Sequence, residues 1–589
     1  MFFSHGPRFT GACLALSLLA AACNLPQPAP VAQPSPLTPT PAISSPLAPI
    51  ATAFLPQPET PKASIPTAPS PALTLSPPPV YLPSVSSAGQ PVWLDPSLPA
   101  GLRDNLVLPL GFALAERPEG AALRLEAGEG QPLSRWIYAL AAPFPTILQG
   151  VASEELRQAW GGNPSGALVG RPILVAPGTH AIFSGLWGAS SPGTVAVIPE
   201  ADLLAVAWER SSVVAILPFE ALEPRWKTLE VDGQSPLHKG FDAAVYPLSV
   251  PLSLAGDPAL VKAFSALYGR DSAAPLLPAV GNRDPQRLTV LAMTGVTALV
   301  RATAFTMERR GVAYPAQDVG PWLRDADITH ISNEVPFAKD CPYPDPLQPG
   351  MRFCSDPRYI ALLEEVGADV IELTGDHFAD WGDAAMRYTL ELYRERGWGY
   401  YGGGENYADG RKALLIEHNG NRIAFIGCNG KGGPFAQASE KRPGAVTCDF
   451  DYLQAEIARL RAEGYLPVAT FQHFEYYTYK AQPDQVRDFR RLAGAGAVVV
   501  SGSQAHQPQA LEFVDQALIH YGLGNLFFDQ YDVSEATRQG FIDRHVFYNG
   551  RYLGAELLGI QFVDYARPRP MTAEEQGDLL WKVFKASGW

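Results

Sequence analysis

The chain has 589 residues, 47% of them hydrophobic, with a formal net charge of −14 and only 18% charged residues. That length suits roughly two to four domains, each able to bury a core. The acidic balance argues against nucleic acid or anionic lipid as the main partner, and the modest charge density argues against an acidic disordered chain.

The chain opens with an export signal. Arg8 supplies a positive start, and residues 11–22 form a short apolar run, too short to span a bilayer stably. The run ends in Leu19-Ala-Ala-Ala-Cys23, which resembles a bacterial lipobox with its leucine one step early, since Ala20 stands three before the cysteine. Two outcomes stay open: a diacylated Cys23, or ordinary cleavage near Ala22. The Pro-rich tether that follows favours the lipid, because two acyl chains anchor where one does not. Residues 24–84 are dense in Pro, Ala, Ser and Thr and nearly free of charge. Such a segment cannot bury a core and tends toward extended polyproline II, so it reads as a stalk.

A first folded block is expected over 85–285. Residues 139–145 read as strand then loop, and residues 213–219 as a buried strand. Ser153-Glu-Glu-Leu-Arg-Gln-Ala-Trp160 reads as a helix with Ser153 as N-cap and Glu154 and Glu155 in the first turn. Gly150-Val-Ala-Ser-Glu-Glu-Leu156, Trp160-Gly-Gly162 and Ala215-Ile-Leu-Pro-Phe219 give the block a resemblance to type II periplasmic binding proteins. The alternative is a generic α/β domain without a ligand.

The second block, 286–589, alternates strand and helix patterns. Strands are expected at 288–296, 328–333, 369–373, 413–417, 422–427, 466–472, 497–501, 510–514 and 517–522. Helices are expected at 357–366, 384–396, 452–462 and 485–493, the third with Leu453, Ile457 and Leu460 on one stripe. Asn419-Gly420 between two strand runs is a hairpin signal. The early βαβα pattern followed by hairpins favours an α/β sandwich with mixed sheets. Beyond Cys13 and Cys23, the cysteines fall into near pairs. In an oxidising compartment Cys341–Cys354 and Cys428–Cys448 are the expected bridges, with zinc as the rival reading.

Polar strings follow the strand candidates, at the ends where α/β proteins build sites. They are Gly295-Val296, Ser332-Asn-Glu334, Thr374-Gly-Asp-His377, Gly402-Gly-Gly-Glu-Asn406, His473-Phe-Glu475, Gly502-Ser-Gln-Ala-His506 and Tyr521-Gly-Leu-Gly-Asn-Leu526. In this order they resemble the CapA family, named for poly-γ-glutamate capsule synthesis, within the calcineurin-like metallophosphatase superfamily. The resemblance implies an α/β/β/α sandwich over 286–589 and a metal-assisted site. It places metal ligands at Asn333, Asp376, His377, His473 and His506, with Glu334 and His377 as catalytic groups. Val296 stands where the family has Asp, and Gln504 where it has His. A valine coordinates nothing and an amide is a poor transition-metal ligand, so at most one divalent ion, or none, is expected.

Each site residue also has a bland reading. His377 could be a buried structural histidine, His473 and Glu475 a local ion pair, Glu334 and Asp376 turn caps, and His506 an exposed loop residue. Phe474, Tyr476, Tyr477 and Tyr479 could form a stacking rim or ordinary packing. No Gly-x-Ser-x-Gly elbow or Walker A string occurs. Two functions stay open for an exported, membrane-anchored protein of the envelope. One is a metal-dependent hydrolase or transferase in envelope-polymer metabolism. The other is a non-catalytic module that binds an anionic polymer or a small ligand.

Overall fold

The computed structural model describes residues 89–589 apart from 105, 129 and 268–280. The expected signal, Cys23 and the Pro-rich segment 24–84 lie outside the described residues. Among those described, no helix is long and apolar enough to cross a membrane.

The first block is built on a ten-stranded mixed sheet. Gln90–Leu94 runs parallel to Phe112–Ala115 and Leu123–Ala127. Ser249–Gly256 pairs antiparallel with Leu123–Ala127 on one side and with the long strand Gln131–Pro143 on the other. That long strand then pairs antiparallel with Val214–Pro218, which continues parallel into Ile173–Val175 and Val195–Val197. The helix Ser153–Trp160 forms where its acidic first turn predicts, but Ser153 is its first helical residue rather than its cap. Ala152 holds the cap position in extended backbone, and the Glu155 carboxylate accepts its N–H at 3.3 Å.

The second block is an α/β/β/α sandwich. One sheet runs in the order Gly399–Tyr401, Val370–Glu372, Ile328–Asn333, Leu288–Thr294, Gln539–Tyr548, Arg551–Phe562 and Pro568–Pro570. The other runs Leu414–His418, Asn421–Asn429, Leu466–Gln472, Val499–Ser501, Ala517–His520 and Leu511–Val514. Leu291, Met293, Ile328 and Val370 meet Phe425, Val468, Val499 and Leu518 between the sheets. The outer face of the first sheet packs Ile331 and Ile371 against Leu363, Met386 and Leu390, and that of the second packs Ile426 and Ala469 against Leu453, Ile457 and Phe489. Each sheet therefore buries both faces, which is why its strands read as continuous apolar runs. Asn419 and Gly420 adopt φ of 48° and 75°, as a two-residue hairpin turn requires. Cys341–Cys354 and Cys428–Cys448 form disulfides, with Cα separations of 5.8 and 4.9 Å.

The two blocks share a buried seam. Phe144 meets Phe513 and Phe584, Phe219 meets Tyr548, and Arg551 donates to the carbonyls of Glu220 and Leu222.

Candidate functional site

The parallel strands of both sheets end on the same side, and their C-terminal loops converge. From the first sheet, Glu334 follows Ile328–Asn333 and is held by its N–H to the Thr297 carbonyl at 2.9 Å. The loop after Val370–Glu372 brings Asp376 and His377 beside it. That approach needs Gly375: a Cβ there would lie 2.9 Å from both Cα and Cγ of Glu334. From the second sheet come Lys431 after Asn421–Asn429, Gln472 and Glu475 at the end of Leu466–Gln472, and Gln504 and His506 after Val499–Ser501.

Gln472 is the organiser. Its Oε1 accepts the Asp376 N–H at 2.7 Å, and its Nε2 donates to Asp376 Oδ1 at 2.9 Å and toward Glu334 Oε1 at 3.4 Å. Lys431 Nζ lies 3.3 Å from Asp376 Oδ2 and also hydrogen-bonds Glu475 Oε1. His506 Nδ1 donates to Asn525 Oδ1 at 2.9 Å, which leaves Nε2 facing Glu475 Oε1 at 3.5 Å. His377 Nδ1 donates to Asp380 Oδ2 at 2.7 Å, with Nε2 toward Asp376. Phe353 packs on the His377 ring, and Phe528 and Tyr477 on that of His506.

Glu334, Asp376, His377 and His506 therefore come together as the motifs imply, and Glu475 joins them. Two expected ligands do not. Asn333 occupies the opposite face of its strand from Ser332, and its Nδ2 donates to the Val335 carbonyl and to Tyr393 Oη, both at 2.8 Å, under the helix layer. Strand alternation dictates this, because Ser332 reaches inward to Gln504 Nε2 at 2.7 Å. His473 turns outward as well: its Nε2 donates to Asp488 Oδ2 at 3.1 Å on the helix Pro483–Gly494. The strand ends at Gln472, so His473 and Glu475 do not share a face as strand residues would, and they form no local pair. Gln472 takes the inward position that the motif gave to His473. Lys431 and Gln472 went unread in the sequence. A lone basic residue in Gly430-Lys-Gly-Gly433, directly after a buried strand, was the available signal.

Val296 is fully buried with Val335, Phe353 and Phe528, the last two being the rings against His377 and His506. It forms an apolar base to the cluster. Gln504 lies beside it through Ser332, which pairs in register with Val296. Of the aromatic residues after His473, Phe474 and Tyr477 are exposed, while the hydroxyls of Tyr476 and Tyr479 donate to Asp484 and Gln539. Asn406 caps the helix Tyr407–Gly410 and stands apart from the cluster.

The electrostatics are strongly coupled. Burial pushes the Glu334 carboxyl up. Burial works against protonated His377, but its bond to Asp380 and the Glu334 and Asp376 carboxylates prevail and raise it to about 9. Burial opposes Glu475 too, yet His506 and Lys431 draw it down to about 2. His506 and Lys431 are raised in turn by the carboxylates they face, against the cost of burial.

Glu334, Glu475 and His506 offer ligand atoms within 4.8 Å of one another, and so do Glu334, Asp376 and His377. Carboxylate and imidazole donors suit a divalent cation, and Glu334 belongs to both groups. The donor chemistry therefore fits a metal ion. A cleft of about 1000 Å³ lies elsewhere, at the seam beside Trp208, Trp226 and Phe513.

Residues 289–530 match the family model described as bacterial capsule synthesis protein PGA_cap, and the whole cluster lies inside that span. Over 300 residues the chain is 25% identical to a capsule biosynthesis protein CapA of Bacillus anthracis, covering 50% of this chain and 72% of the relative. Over 226 residues it is 23% identical to a PGA biosynthesis protein CapA of Bacillus subtilis (strain 168), covering 38% of this chain and 59% of the relative. Among solved structures, an ABC-type phosphate transport receptor from Vibrio cholerae aligns at 15% identity and a TM-score of 0.27, over 32% of this chain and 96% of its own. A 5′-nucleotidase precursor from Thermus thermophilus aligns at 14% identity and a TM-score of 0.29, over 51% and 58%.

Proposed function

The C-terminal block is a CapA-family domain, and from that premise we propose that the protein acts in the synthesis of a capsule polymer of the poly-γ-glutamate kind. The observation that carries the reading is the pair of ligand groups sharing Glu334, assembled at strand ends inside the matched span. A divalent ion held by Glu334 with Asp376 and His377, or with Glu475 and His506, would polarise an amide or ester oxygen. The side chains supply the rest. Glu334, whose carboxyl burial pushes up, is the acid–base group placed nearest both ligand sets. With an ion held by Glu334, Glu475 and His506 instead, His377, fixed by Asp380, would present a protonated imidazole to an incoming oxygen. Tyr477 offers an exposed aromatic face stacked on His506. A lipid on Cys23 and the stalk over 24–84 would hold the domain at the outer face of the cytoplasmic membrane, where such a polymer emerges.

A second reading, non-catalytic binding of the polymer, is favoured by Val296 and Gln504, which put no charge or imidazole where the family carries ligands. One experiment separates the two. The purified full-length protein and its Glu334→Gln variant are incubated with poly-γ-glutamate of defined length, and chain length and binding are measured. A length change that E334Q abolishes supports the enzyme. Binding without any length change supports the module. Neither binding nor change would refute both.

A further inference from the structure

We propose that Lys431 is a built-in cation of this cluster: its ammonium bridges Asp376 and Glu475, and a divalent ion must displace it to bind. The inference rests on the cluster's geometry and is independent of the polymer.

Asp376 and Glu475 belong to different ligand groups, and Glu334 is the member common to both. Lys431 Nζ contacts both carboxylates, at 3.3 Å from Asp376 and in a direct hydrogen bond to Glu475. A metal ion between Glu475 and His506 needs the Glu475 Oε1 that the ammonium holds, and one between Asp376 and His377 would share a carboxylate whose Oδ2 already faces the ammonium. Bound to the ammonium, those carboxylates have their charge partly compensated and a lone pair of one oxygen each engaged. An ammonium supplies charge but has no empty orbital, so it holds the carboxylates together without acting as a Lewis acid.

The loop that carries Lys431 is fixed in place rather than merely nearby. Asn429 anchors its root: its N–H donates to the Val446 carbonyl at 2.6 Å, and its Nδ2 donates to the Thr374 carbonyl at 2.7 Å and to Gln472 Oε1 at 2.9 Å. Its Oδ1 accepts the Gly432 N–H at 2.5 Å, closing the turn around Lys431. Gly430 N–H donates to the Gln472 carbonyl at 2.9 Å, and the Cys428–Cys448 disulfide ties the preceding residue to the neighbouring segment. A Cβ on Gly432 would lie 2.9 Å from that of Ala436 and 3.1 Å from that of Asp376. The turn is thus pressed against the ligand it serves. Beside the cluster Val296 packs with Phe353 and Phe528, and the nearby Asp380 and Asp529 are already paired with His377 and Arg301.

The test is titration of Mn²⁺ into the full-length protein and into Lys431→Met and Lys431→Arg, followed by calorimetry. Removing a competing charge at such short range should make K431M bind Mn²⁺ about tenfold more tightly or better than wild type. K431R, which keeps the charge, should stay within about threefold of wild type. Adding Glu475→Gln to K431M should erase the gain. If K431M does not fold, Lys431→Gln serves the same comparison while keeping an N–H for Glu475. Equal Mn²⁺ affinity in wild type and in the folded charge-removing variant would overturn the proposal. So would a gain in K431R as large as in K431M. Because no polymer is present, a failed capsule function leaves this result untouched, and the converse also holds.

Discussion

His545 should make the protein acid-labile in a defined window. It sits in the strand Gln539–Tyr548, opposite Leu291 in one neighbour and Ala555 in the other, fully buried between the sheets. Its Nδ1 pairs with Tyr552 Oη at 2.9 Å, and its Nε2 has no hydrogen-bond partner. Burial drives its pKa down to about 4; Asp543 opposes this, and His520 and His330 add to it. In the unfolded chain the ring titrates near 6.5. Below that pH the unfolded state takes up a proton the native state refuses, so stability falls as pH falls and is fully present above about 6.5. The linkage gives a loss of about 2 kcal/mol at pH 5 and about 3 kcal/mol at pH 4. His545→Asn keeps an acceptor for Tyr552 and removes the titration. Urea unfolding of both proteins from pH 7 to pH 4 isolates the effect, because Glu334 and the other carboxyl groups titrate in both. The wild-type midpoint should fall more steeply than that of H545N, and parallel curves would refute the reasoning.

Three further outcomes are expected. Gly375→Ala drives a Cβ into Glu334 and should cost about 1–3 kcal/mol in urea unfolding, as overpacking does; an unchanged midpoint would show that the loop has room. Breaking Cys428–Cys448 by a double Ser substitution, which frees a sequence separation of 20, should cost about 3 kcal/mol on the chain-entropy account, with a thermal midpoint as the readout. His473→Gln should leave Mn²⁺ binding by K431M within about twofold, since its ring faces Asp488, whereas His506→Gln should weaken it by about tenfold or more. Equal effects of the two substitutions would put His473 back in the site.

Much of the sandwich was legible because buried strands leave continuous apolar runs. Ile328–Asn333 and Leu466–Gln472 stand at the expected bounds. The long hairpin Gln539–Tyr548 and Arg551–Phe562 was not foreseen, although its Asn549-Gly550 turn has the same left-handed pair, φ 50° and 74°, that marked Asn419-Gly420. Its buried His545, Asp543 and Arg544 break the apolar pattern that flagged the other strands. At the site, the structure brings Glu334, Asp376, His377 and His506 together and turns Asn333 and His473 away from them. A motif gives position along the chain, whereas the inward face is decided by strand alternation and by where the strand stops. Lys431 was hidden for a different reason: nothing in a Gly-Lys-Gly-Gly string tells which sheet end the loop meets.

Val296 and Gln504 are best read together with Lys431. A carboxylate at 296 would lie among Val335, Phe353 and Phe528, where a charge needs a partner to be tolerated. With valine there, the same pocket floor supports the aromatic rings that pack on His377 and His506. The remaining carboxylates would still repel one another, and this chain answers with cations of its own: Lys431 between Asp376 and Glu475, His506 on Glu475, and His377 between Asp376 and Asp380. Each is held by a local bond that does not depend on a metal ion, through the Asn429 turn, Asn525 and Asp380. A site neutralised in this way holds its shape without a bound ion. Placing Asp at 296 alone would therefore add a buried charge among apolar side chains, and on the proposal above the Lys431 ammonium is the first competitor of any divalent ion.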